Sequence, residues 1–174
     1  MGGGTRSAGH RGSKVPVWVL LGTAVGVAGS TAVATPSAFA TSSTRPSISC
    51  GLISTAQINR VLKTSVGAPK VIRNGAVTVC TYPQGHLTDK LLIRYETGMN
   101  PTTFDATKTG FTSHGEPVTV TSGFGSTAFT STIGSGTYAV NSLAALKGTT
   151  GLLVSASTSL ARVEMLSTRI LHSL

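Results

Sequence analysis

The sequence predicts an α+β domain: an antiparallel sheet packed on one face by an N-terminal and a C-terminal helix, with one disulfide. Three observations carry this. Apolar residues recur at helical spacing near residues 55–66 and again from residue 160 to the C-terminus, while the stretch between alternates largely with a period of two between glycine-containing turns. The two cysteines, Cys50 and Cys80, bracket the first helix and the first expected strand.

The first helix is well punctuated. Ser54 and Gln57 have the spacing of a capping box, in which each side chain satisfies a backbone N–H of the other. Ile53 and Ile58 match a hydrophobic staple, and Ile58, Val61, Leu62 and Val66 form one apolar stripe. Gly67 and Pro69 are the expected stop, so the helix is predicted from about Thr55 to Val66. Asn74-Gly75 then makes a tight turn, and Ala76 to Tyr82 alternates as a strand that contains Cys80.

Leu91, Ile93 and Tyr95 mark the buried face of a second strand. Asn100-Pro101 resembles a helix start, and a short helix is expected through Phe104 to Lys108, ending before Gly110. Period two returns in Val118–Thr121, Ala128–Ile133, Thr137–Leu146 and Leu152–Ser157, separated by turns at 123–125, 134–136 and 148–151. Leu160, Val163, Leu166, Ile170 and Leu174 form the stripe of a closing helix that must lie on the sheet. The face of the sheet away from the two terminal helices is expected to be polar.

The first forty residues have the form of an export signal. Arg6, Arg11 and Lys14 precede an uncharged, mostly apolar run from Val15 to Ala34, and Ala38-Phe39-Ala40 is an A-x-A cleavage signature. The predicted organisation is a signal peptide at 1–40, a Ser/Thr/Pro-rich mobile leader at 41–49, and a single domain at 50–174. An uncleaved membrane anchor is the competing reading of the apolar run, diluted by Gly22, Gly26 and Gly29. Removing 40 of the 174 residues leaves 134, enough for one modest core and too few for two. Export to an oxidising compartment makes Cys50–Cys80 a disulfide expectation, and neither C-x-x-C nor a four-ligand zinc spacing competes with it.

The exported part holds 11 Lys and Arg against 5 Asp and Glu, a net of +6. Arg60, Lys63, Lys70 and Arg73 gather near the first helix and are the residues expected to meet an anionic surface, with solvated helix-face cations as the plainer alternative. Nucleic acid is not an expected partner, because there is no basic run with interleaved aromatics. His86 and Asp89, with His114 and Glu116, are the pairs that could supply metal ligands or an acid and a base, although turn segments hold such residues anyway. Gly123-Phe124-Gly125 has the look of a dinucleotide loop, but the strand pattern behind it removes the helix terminus that would hold phosphate.

The order Cys50, Leu52-Ile53-Ser54-Thr55-Ala56-Gln57, Gly67, Cys80-Thr81-Tyr82, the segment from Val120 to Phe129 and a closing helix resembles a group of actinobacterial exported domains, many of them lipoproteins of unknown function. The chain departs from that group in having no lipobox. The resemblance implies no catalytic residue and no cofactor. The expected function is a non-enzymatic cell-envelope or extracellular binding module whose partner is an envelope protein, glycan or lipid, with an exported hydrolase as the alternative. Membrane contact is expected only if the signal segment is retained.

Overall fold

The structure is a computed structural model that describes residues 48–83 and 90–174. The expected signal peptide, most of the expected leader, and His86 and Asp89 lie outside the described residues. The elements run α1 (Thr55–Leu62), β1 (Lys70–Asn74), β2 (Val77–Pro83), β3 (Lys90–Thr97), α2 (Pro101–Ser113), β4 (Val118–Thr121), β5 (Thr127–Ile133), β6 (Val140–Lys147), β7 (Thr150–Ala156) and α3 (Leu160–Ser173). Short 3-10 turns occupy Cys50–Leu52 and Gly136–Tyr138.

The strands form one seven-stranded sheet in the order β1-β2-β3-β7-β6-β5-β4, antiparallel at every pairing. Two meanders, β1–β3 and β4–β7, meet at the β3–β7 seam, where Ile93 stands opposite Val154 and Tyr95 opposite Leu152. Successive strand residues face opposite sides. Cys80, Ile93, Val154 and Leu143 therefore lie in one row under α1 and α3, which bury Ile58, Val61, Leu62, Val163, Leu166 and Ile170 against them. This is the expected α+β architecture, with the N-terminal and C-terminal helices on one face.

The middle helix takes the other face. Phe104 and Phe111, two turns apart on α2, pack on Phe129 of β5 with ring centroids 5.6 and 5.2 Å away. Ala144 and Leu146 of β6 complete this second, smaller core. The face expected to be polar is thus apolar over its β4–β7 half. At its foot Met99 lies against Gly151, where a side chain on β7 would collide with the Met99 sulfur.

Four local details differ from expectation. The helix α1 stops at Leu62, closed by Lys63 in the left-handed conformation (φ 54°) in place of Gly67. The chain beyond is held by Asn59 Oδ1, which accepts from the Val66 amide at 2.8 Å, and by the Gly67 amide donating to the Pro83 carbonyl at 3.0 Å. An additional strand, β1, pairs with β2 through the Gly75-Ala76 turn. The helix α2 continues through Gly110 to Ser113, and β6 begins at Val140, after the 3-10 turn. Both predicted caps hold: Ser54 with Gln57 and Asn100 with Thr103 form reciprocal capping boxes.

Cys50 and Cys80 are bonded, with Cα atoms 5.7 Å apart, and both are buried. Such a bond points to a non-cytoplasmic location. No helix among the described residues is long and apolar enough to cross a membrane.

Candidate functional site

The site is a groove between α1 and α3. Turning Ile58, Val61 and Leu62 into the core leaves Arg60 and Lys63 exposed along one side of α1. On α3, burial of Val163, Leu166, Ser167, Ile170 and Leu171 leaves Met165, Arg169 and His172 exposed, with Thr168 half-buried beside them. The two sets face each other: Arg60, Lys63, Arg169 and His172, with Val61, Met165 and Thr168, line an open groove of about 650 Å³. Arg162 fixes the helix pair. Its Nη1 donates to the Leu62 carbonyl at 3.1 Å, satisfying one of the carbonyls that the last turn of α1 leaves unpaired.

Among the described residues no carboxylate lines this groove. The salt bridges among the described residues, Arg94–Glu96 at 2.6 Å and Lys108–Asp105 at 3.4 Å, lie elsewhere. Arg60 also sits in the last turn of α1 and His172 in the last turn of α3, where positive charge complements the partial negative charge of a helix C-terminus. That accounts for single residues. It does not account for three permanent cations and an imidazole sharing one groove, a like-charge arrangement that an anion relieves. Lys63 adds a second feature, since a left-handed backbone is unfavourable for a residue with a Cβ and an exposed lysine gains no packing from it.

Of the four cations singled out from the sequence, Arg60 and Lys63 are brought together. Lys70 and Arg73 are on the edge strand β1, opposite Thr81 and Thr78 respectively, and three residues apart they point to opposite faces of the sheet. The residues that complete the groove, Arg169, His172 and Met165, come from α3. Their spacing of three to four residues marks a second face of that helix, so the pattern is readable, but its pairing with α1 is a tertiary contact.

His114 and Glu116 close α2. The His114 Nδ1 lies 2.7 Å from the Gly110 carbonyl and donates to it, and the Glu116 amide donates to the Phe111 carbonyl at 3.1 Å. Among the described residues no group of three or more His, Cys, Asp or Glu side chains converges. The Gly123-Phe124-Gly125 segment is a turn into β5. Gly123 and Gly125 have φ of 89° and 72°, and the Ser126 amide donates to the Leu146 carbonyl at 2.8 Å. A second hollow, bounded by Arg94, Met99, Phe104 and Leu153, has a volume of only about 20 Å³, room for roughly one water.

Comparison of the chain with protein-family models, with curated proteins and with solved structures finds no match.

Proposed function

We propose that the chain is a non-enzymatic exported module of the cell envelope or extracellular space, and that it contacts an anionic ligand through the α1–α3 groove. The observation that supports this reading is the convergence of Arg60, Lys63, Arg169 and His172 on one groove that no carboxylate among the described residues lines. The exported part's excess of 11 basic over 5 acidic side chains adds a long-range attraction toward polyanions. The disulfide-closed fold suits an oxidising compartment.

Inorganic polyphosphate on a solid support is a direct probe. The oxidised protein should be retained at low salt and released as ionic strength rises, because the screening length falls to about 8 Å near physiological salt. Arg60→Gln with Lys63→Gln should weaken retention, and Arg169→Gln should weaken it comparably. Lys70→Gln with Arg73→Gln, which also removes two charges, should have the smaller effect. Equal losses from both double variants would reduce the attraction to net charge alone. Retention indifferent to salt and to every substitution would overturn the proposal.

A further inference from the structure

The two edges of the sheet are protected unequally. An exposed edge strand offers unpaired N–H and C=O groups to any other strand, and charged side chains, lysine above all, are the usual deterrent. At one edge, β1 carries Lys70 and Arg73 among five exposed residues. At the other, β4 reads Val-Thr-Val-Thr. Its Thr119 is exposed and Val120 is 69% exposed, a high value for an apolar side chain within a strand. Ile133, 44% exposed on neighbouring β5, lies on the same side of the sheet as Val120, since Val120 faces Phe129 and residues 129 and 133 are in phase.

The strands at this edge also carry no charge. From Val118 through Leu146 the sequence contains no Asp, Glu, Lys or Arg. The groove cations belong to α1 and α3, and Lys70 and Arg73 belong to the opposite edge. Two copies of a basic protein repel each other wherever their cations face, so this uncharged edge is the side on which they can approach closely.

We propose that β4 is a homotypic interface, through which a second copy of this chain adds its own β4 in antiparallel register. A two-fold axis perpendicular to the sheet keeps like faces of both copies on the same side and allows Val120 to stand opposite Val120 of the second copy, with Thr119 opposite Thr121. β-branched pairs and threonine pairs of this kind are favourable across antiparallel strands. The same operation at β1 would bring the Lys70 and Arg73 cations of both copies together, which is unfavourable. The self-complementary, uncharged sequence makes a second copy the occupant in preference to a foreign strand.

Sedimentation equilibrium on the oxidised, secreted chain, from about 10 μM to about 1 mM, tests this in the range expected of a small interface. The expected result is a reversible monomer–dimer equilibrium with little salt dependence. Val120→Lys and Val120→Glu, at an exposed side chain, should each weaken dimerisation about tenfold or more by setting like charges across the axis. Mixing those two variants should restore association as a heterodimer, which a merely misfolded variant could not do. Ile72→Lys on the opposite edge should leave the equilibrium unchanged. A wild-type chain that stays monomeric throughout overturns the proposal, as does a dimer that survives both Val120 substitutions or is lost with Ile72→Lys.

Discussion

The Tyr82 hydroxyl donates to the Cys50 carbonyl oxygen at 3.0 Å, two residues along β2 from the other half of the disulfide. The covalent bond and the buried hydrogen bond thus tie the same two segments, the 3-10 turn before α1 and the strand beneath it.

Loss of the disulfide should destabilise the domain by about 3 to 4 kcal/mol, the chain-entropy value for a loop of this length. Tyr82→Phe should cost about 1 to 2 kcal/mol, because the Cys50 carbonyl would remain buried without that donor. Denaturant unfolding of Tyr82→Phe and of the Cys50→Ser, Cys80→Ser double variant measures both. A double variant as stable as the parent would contradict the structural role of the bond.

Tyr95 should behave in the opposite way. Its hydroxyl is buried without a hydrogen-bond partner among the described residues, so Tyr95→Phe should raise stability, by about 1 kcal/mol. Burial, and secondarily the nearby Tyr82, pushes the Tyr95 phenol well above its usual range, and burial raises Tyr82 as well. The folded state therefore holds these protons more tightly than the unfolded chain. Their contribution is complete below about pH 10, the ordinary tyrosine value, and is lost as pH rises through the folded-state values. Unfolding midpoints should fall above about pH 10, less steeply in Tyr95→Phe. An unchanged alkaline slope in that variant would show that Tyr95 is not among the groups responsible.

Gly125 and Gly123 form a matched pair. Both have positive φ, but a Cβ at Gly125 would also run into the Leu146 backbone carbonyl, whereas a Cβ at Gly123 meets nothing within 4 Å. Gly123→Ala should cost about 1 kcal/mol from the backbone alone, and Gly125→Ala distinctly more. Thermal melts in which the two variants coincide would argue against this close approach of the turn to β6.

Lys63→Gly should separate stability from binding. Glycine accepts φ 54° without the Cβ penalty, so the domain should gain up to about 1 kcal/mol while retention on polyphosphate falls. Lys63→Ala should lose retention while keeping about the parent's stability, because alanine keeps the Cβ. If glycine and alanine proved equally stable, the left-handed closure of α1 would be in error.

Much of this architecture is legible in the sequence because its signals are local. The Ser54–Gln57 capping pair is fixed by spacing, the start of α2 by Asn100-Pro101, and the buried faces of β3 and α3 by periodicity. The strand β1 escapes because all five of its residues are exposed, leaving no alternation to read. The extent of α2 escapes because Gly110 resembles a stop, yet the Phe111 ring just beyond it packs on Phe129 and carries the helix onward. The closure of α1 escapes because a lysine takes the conformation that Gly67 seemed reserved for. For the groove, half of the expected cations were in place, while Arg169 and His172 stand more than a hundred residues away along the chain and meet Arg60 and Lys63 only through packing.

The β3–β7 seam gives the chain a particular order of assembly. Every other strand pair in the sheet joins neighbours in sequence, but the seam joins Thr97 to Thr150 and Leu92 to Ser155 across α2 and the strands β4 to β6. Such a distant contact forms only after a long loop has closed, which makes it slow relative to a hairpin. The disulfide lies wholly to the N-terminal side of that junction, within the first meander and the turn before α1. As the chain emerges from its N-terminus, the cross-link can therefore be set before its C-terminal end arrives. The apolar face of β6 and β7 must then wait for α3, which follows them in the chain, to cover it, and this interval is when the protein is most exposed to aggregation and to a chaperone.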